Sequence, residues 1–284
     1  MSFILLGILN YQAAGGAGPA EGYFSAGDGS TTVYKWAFPA DTVSTTTSAP
    51  ATMNEHAGMA NPAVAGYFAR GNVTTSVYKW AFPSDTVSTT TSAPATMNKH
   101  AGMANPAVAG YLTKGYLTAD VYKWAFPSDS VSTTTSLTNS NNLGAAMANP
   151  AVAGYLAVGS DTATLNKFLF PSDTVSVITM PDGVLLGAGF ANPGVAGYLT
   201  PGDEKVIVMK FSFPSDSSSF TTSSPLGMNA HAGFSDPAVA GYFSRGGKFP
   251  PVATVYKWAF PSDSVSTTTA APAAIIRNAG FASV

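Results

Sequence analysis

The chain repeats one sentence of its own sequence. The string VYKWAFPSDTVSTTTSAPATMN fills residues 77–98, and all but one of its residues recur at 33–54. Fainter copies continue to the end. The dipeptide Gly-Tyr anchors the register through Tyr23, Tyr67, Tyr111, Tyr155, Tyr198 and Tyr242, spaced by 44, 44, 44, 43 and 44 residues. A second anchor runs through Lys35, Lys79, Lys123, Lys167, Lys210 and Lys257, where an insertion around GGKFPPVA stretches the last step to 47. A fixed period in this range restricts the chain to stacked or radially arranged units, each unable to bury its apolar surface alone.

Each unit reads as β structure. Pro, Gly, Ser and Thr punctuate every segment, and β-branched and aromatic residues fill the intervals, so no amphipathic helix emerges. Within residues 56–93 the pattern predicts strands at 56–60, 63–69, 75–82 and 86–92. The Pro83-Ser84-Asp85 corner separates the last two, because proline fixes φ and cannot feed a ladder. The third strand alternates Tyr78, Trp80 and Phe82 against Val77, Lys79 and Ala81. Both faces carry apolar atoms, as expected of a sheet packed between two others. The bulky face of one sheet would then meet the small-residue face of the next. The hydroxyl-rich fourth strand suits a solvent-facing edge. The expected fold is all-β: a six-bladed β-propeller of about 44-residue four-stranded repeats, closed by pairing of chain ends. An open β-solenoid is the competing architecture.

The closing segment is read from the same register. RNAGFASV at 277–284 matches the innermost-strand segment KHAGMANP at 99–106 but has no Gly-Tyr after it. Its natural partner is EGYF at 21–24, which would make one blade from both chain ends. YQAAGGAG at 11–18 competes for that position. With the C-terminal segment favoured, residues 18–284 form the propeller and residues 1–17 an N-terminal arm. The arm carries the apolar residues Phe3, Ile4, Leu5, Leu6, Ile8 and Leu9. No Lys or Arg precedes them and the run is seven residues long, so they are expected to form a docking arm or buried strand rather than a secretory signal. The run is also too short to span a bilayer.

Composition narrows the function. Charged residues are 10% of the 284, and the formal net charge is −2, which offers no electrostatic footprint for nucleic acid. Zero cysteines exclude disulfides and thiolate metal ligands.

The residues AGYFSRGG (240–247) followed by TVYKWAFPSDSVSTTT (254–269) resemble the Kelch-like propeller repeat: a strand ending in glycines, an aromatic strand, a turn and a polar outer strand. Several repeats lack the double glycine, and the outer strand lacks the usual Trp. ANPGVAGYLTPG (191–202), LNKFLFPSDTVS (165–176) and the opening MSFILLGILNYQAAGG (1–16) resemble propeller-like repeats of structural proteins of tailed bacteriophages, especially cyanophages. The Kelch-like match covers about residues 18–284. The resemblance to phage proteins implies a non-enzymatic virion structural protein: a tail, fibre or capsid-decoration component in a multicopy or homo-oligomeric setting, partnered by other virion proteins. The alternative is a glycan-binding propeller on a virion, or secreted or at a cell surface, attached to host-surface glycan.

Candidate chemistry is sparse. His56, His100 and His231 share one repeat position, filled elsewhere by Gly144, Gly187 and Asn278. Three histidines near a channel invite a metal reading, but no carboxylate recurs beside them to orient the rings. Residues of a channel mouth are expected instead. The six turn aspartates, Asp41, Asp85, Asp129, Asp173, Asp216 and Asp263, supply one carboxylate per turn, too few for Ca²⁺. They are expected to accept hydrogen bonds from their own turns. No nucleophile, phosphate-loop or zinc-protease motif occurs, and neither a catalytic residue nor a cofactor is expected. Specific contact is expected where the repeat breaks: Asn139 and Asn141, then Asp203, Glu204 and Lys205, then Arg245 and Lys248.

Overall fold

In the computed structural model the described residues are 20–126, 128–170, 172–213, 215–247, 252–260 and 262–283. They form six four-stranded antiparallel sheets, and no α-helix occurs among them. The sheets are the blades of a six-bladed β-propeller. Blade 2 shows the pattern. Its innermost strand is Ala57–Asn61, its second Ala65–Ala69, its third Val77–Ala81 and its outer strand Thr86–Thr89. These are the four strands read from the repeat, the first shifted by one residue from 56–60 to 57–61 and the other three shortened. Burial follows the chemistry. The second strand is buried throughout, the third buries Val77, Tyr78 and Trp80, and the Thr/Ser strand is largely exposed.

Blade 1 takes its second, third and outer strands from Glu21–Ser25, Val33–Ala37 and Thr42–Thr45, and its innermost strand from Gly280–Ala282. The register pairs Tyr23 with Phe281 and Phe24 with Gly280. Ser283 N–H donates to Glu21 O at 2.8 Å, and Glu21 N–H donates to Ser283 Oγ at 3.0 Å. The C-terminal segment therefore takes the position for which residues 11–18 competed. The proposed arm, with Phe3, Ile4, Leu5, Leu6, Ile8 and Leu9, lies outside the described residues, as does Lys248.

The Gly-Tyr dipeptide holds each blade between its two neighbours. Successive residues of a strand point to opposite faces. The glycine lies under the bulky innermost-strand residue of the preceding blade: a Cβ on Gly66 would sit 1.9 Å from Phe281, and one on Gly110 would sit 2.1 Å from Met59 Sδ. The tyrosine faces the following blade, where Tyr67 stacks on Phe126 with centroids 5.5 Å apart and Tyr111 on Phe170 at 5.3 Å. The small face of one blade thus receives the large face of another, in a repeat-wide interdigitation that needs glycine at this site.

The strand order sorts the loops. Turns between the first and second strands, and between the third and outer strands, emerge on one face of the ring. Second-to-third loops and the links between blades emerge on the other. The first face carries a rim of exposed valines, Val64, Val108, Val152, Val195 and Val239. The second carries the mouth of the axial channel.

Candidate functional site

Two sets of polar residues recur around the ring, one at the blade edges and one at the axis. At the edges, each turn aspartate grips the preceding blade. Tyr67 Oη donates to Asp129 Oδ1 at 2.7 Å while Lys79 Nζ donates to Asp129 Oδ2 at 2.6 Å. The same joint is made by Tyr23 and Lys35 on Asp85, Tyr111 and Lys123 on Asp173, and Tyr155 and Lys167 on Asp216. Tyr198 and Lys210 on Asp263, with Tyr242 and Lys257 on Asp41, complete the ring. The expectation that these aspartates serve their own turns is corrected: both carboxylate oxygens reach the neighbouring blade. Serine fills the local role instead, as where Ser84 Oγ lies 2.9 Å from Thr86 Oγ1 and accepts from Thr86 N–H at 3.4 Å.

The electrostatics fit a structural joint. Burial raises the Tyr67 hydroxyl's pKa, and its bond to Asp129 raises it further, so the phenol stays protonated and donating. Burial alone would raise Asp263, but donation from Lys210 and Tyr198 brings it below the usual carboxylate range. Blade 1 adds a second carboxylate, with Glu21 3.0 Å from Lys35 Nζ.

At the axis, each link between blades delivers two residues to a funnel: Glu55-His56, Lys99-His100, Leu143-Gly144, Leu186-Gly187, Ala230-His231 and Arg277-Asn278. The funnel encloses a cavity of about 50 Å³. The first residue of each pair has positive φ, from 49° at Glu55 to 60° at Leu186. Backbone bonds join neighbours around the mouth, with Lys99 N–H donating to Glu55 O at 3.0 Å, Leu143 N–H to Lys99 O at 3.0 Å and Arg277 N–H to Ala230 O at 2.7 Å.

The second residue of each pair points deeper. His56, His100 and His231 are buried, which pushes their pKa values down to about 3, 4 and 3 respectively and keeps the imidazoles neutral at pH 7. His56 Nε2 meets the Ser25 hydroxyl of the preceding blade, and His231 Nε2 meets Thr200 Oγ1 at 2.5 Å. Asn278 Oδ1 accepts from Ser244 Oγ at 3.3 Å. The residue preceding His100 in this series is Ala69, so no hydroxyl reaches that ring, and neither His100 nitrogen has a partner among the described residues. These hydroxyl partners escaped the sequence reading. The only sequence signal was a hydroxyl at the shared repeat position in Ser25, Thr200 and Ser244, ahead of His56, His231 and Asn278; Ala69 before His100 and Thr113 before Gly144 break the correspondence. Among the described residues no group of three or more His, Asp or Glu side chains is arranged to hold a metal ion.

The repeat-breaking residues fall at separate places. Asn139 is exposed. Asn141 is fully buried and is corrected as a contact residue: it occupies the repeat position of the buried Met53, Met97 and Met228. Thr113 Oγ1 donates to its Oδ1 at 3.2 Å, and its Nδ2 donates to Ala157 O at 3.4 Å, so a polar pair replaces a thioether inside the joint. Asp203 and Glu204 are exposed with positive φ. Lys205 is held 3.1 Å from Asp182 and 3.4 Å from Asp161. Arg245 Nε donates to Gly227 O at 3.2 Å, while Glu204 N–H donates to Met228 O at 2.8 Å. The 227–228 segment therefore gathers Glu204 and Arg245 into one patch between blades 5 and 6, on the same face as the funnel.

The fold class is a six-bladed β-propeller. No protein-family model matches the chain, and no curated protein matches it.

Proposed function

We propose that this propeller is a non-enzymatic structural component of a tailed-phage virion, serving as a rigid display or adhesion module. The observation that carries the reading is the fate of the repeated polar side chains. All six Tyr–Asp–Lys sets are committed to holding one blade to the next. This is the use expected of polar groups in a scaffold under load rather than in a reaction centre. Two further features fit. The valine rim offers apolar contact on one face, and the mixed patch of Glu204, Lys205 and Arg245 offers polar contact on the other. Other virion proteins, or further copies of this chain, are the partners this implies. An antibody raised against the recombinant propeller should label purified particles of a phage that encodes it, at many copies per particle. Particles purified free of the protein, with the chain found only in uninfected cells, would refute the assignment.

Host-glycan binding is the second reading. It rests on Tyr116, 65% exposed beside Leu117 at 63% in the second-to-third loop of blade 3. An aromatic face on a rigid loop is the usual platform for a sugar ring. A glycan array separates the readings: binding abolished by Tyr116→Ala favours the lectin, and a blank array including host-surface polymer removes it.

A further inference from the structure

The ring divides its charges unevenly between its two faces. Apart from Glu21 and Asp236, every charged side chain among the described residues either belongs to a Tyr–Asp–Lys joint or sits in the loops and links of the funnel face. Glu21 lies 3.0 Å from Lys35, and Asp236 is half-buried. The opposite face is therefore almost free of exposed charge. Its first-to-second turns read Asn-Pro-Ala-Val in blades 2, 3 and 4, Asn-Pro-Gly-Val in blade 5 and Asp-Pro-Ala-Val in blade 6. Neighbouring turns are tied together: Ala107 N–H donates to Asn61 Oδ1, Ala151 N–H to Asn105 Oδ1 and Gly194 N–H to Asn149 Oδ1, each at 3.0 Å. The five valines, 44–55% exposed, thus form one apolar annulus about the axis rather than scattered surface residues. A contiguous apolar patch of this kind marks a contact site.

Blade 1 interrupts the annulus, and the interruption is where residues 1–19 join the ring. Phe38 N–H donates to Ala20 O at 2.9 Å, as Phe82 N–H donates to Val64 O at 2.9 Å, so Ala20 holds the rim position of a valine. Ala63 N–H donates to Ser283 O at 2.8 Å, which sets the turn of blade 2 directly beside this entry point. The chain therefore joins the propeller on the apolar face. Its composition matches that face. Residues 1–20 hold no charged residue and no histidine, and residues 3–9 read Phe-Ile-Leu-Leu-Gly-Ile-Leu.

We propose that the valine annulus is the docking surface for residues 3–9 of the same chain. Residues 10–19, with Gly15, Gly16 and Gly18, are the tether. Fully extended, it spans roughly 35 Å, and the nearest turn of the annulus adjoins its anchor. A short flexible tether keeps the segment at an effective concentration on the order of millimolar, which favours its own rim over that of another copy. The contact removes apolar surface from water on both sides, and the arm brings no charge to desolvate. A partner that uses the rim must displace the arm.

The chain has no cysteine, so Ser2→Cys places a single nitroxide label just ahead of the apolar run. In the full-length labelled chain, diluted with unlabelled chains that carry no isotope, the methyl resonances of rim valines such as Val108 and Val152 should broaden. Those of Val73 and Val206, exposed on the funnel face, should stay sharp. Adding Leu5→Asp and Ile8→Asp should restore the rim signals. Rim valines that stay sharp, or broadening that survives the two aspartates, would overturn the proposal. So would broadening of equal size when the label and the isotope are carried by different chains, which would assign the rim to the arm of a second copy. Deleting residues 1–17 should bare the annulus and raise the fluorescence of a bound apolar dye several-fold; an unchanged signal from a folded truncated chain would count against the arm. If the truncated chain does not fold, the label on the full-length chain decides alone.

Discussion

The blade edges and the axis solve one problem, joining blade to blade, in opposite ways. At the edge the Tyr–Asp–Lys joint is copied six times, with Lys–Asp distances between 2.5 and 2.7 Å. At the axis no more than three blades share a residue: three histidines, two glycines and one asparagine occupy equivalent sites. The edge joints bury apolar area and pair charges together, so one defect is felt by two blades. The axial residues sit where neighbours are already tied through backbone, so side chains there can vary at small cost. Uniformity marks what holds the ring, and variation marks where the ring has room for something else.

The largest test removes the closure rather than a joint. Deleting 277–284 strips blade 1 of its innermost strand and takes Phe281 from over Gly66. It should abolish the cooperative thermal transition seen by circular dichroism; a native-like melt would show that another segment closes the ring. Next comes the edge. Asp129→Ala strands the Tyr67 hydroxyl and the Lys79 ammonium, both partly buried. It should cost about 3 kcal/mol and lower the melting temperature by about 5 °C. A loss below about 1 kcal/mol would reduce the joints to ornament.

Acid should act mainly at the axis. His56, His100 and His231 have folded pKa values well below the ordinary 6.5, so as pH falls the unfolded chain takes up protons first. The stability tied to them is complete above pH 6.5 and drains away as pH drops toward 4, on the order of 1.4 kcal/mol per pH unit for each histidine. His100→Gly should remove up to one proton from that slope in denaturant titrations at pH 5; an unchanged slope would mean that His100 titrates normally. The smallest effect is the same variant at pH 7.5, where the change should stay within about 1 kcal/mol, well under that of Asp129→Ala.

The repeat made much of this legible. Gly-Tyr spacing led to six units, strand alternation led to blades buried on both faces, and the orphan RNAGFASV led to the closure. What escaped was polar contact across blades. Tyr67 and Asp129 are 62 residues apart, and a turn aspartate has plausible partners within its own turn, so local chemistry pointed inward while the fold pointed outward. Asn141 looked like a loop residue because it broke the repeat. Aligned instead with Met53, Met97 and Met228, it occupies a core position, where the Thr113 hydroxyl and the Ala157 carbonyl satisfy its polar group. The axial residues were placed near the channel correctly, but their hydroxyl partners sit on the preceding blade, which the linear repeat does not announce.

The way blade 1 is stitched also bears on how the molecule can be rewired. Glu21 and Ser283, 262 positions apart, exchange hydrogen bonds as direct neighbours, and the same edge joints stand at every other boundary. The ring has no privileged seam. A gene with its start moved to the 45–56 link, and residues 20 and 283 joined by a short tether, should yield the same circle. If it does, the break in the chain becomes a movable port for fusing cargo at whichever blade an application requires.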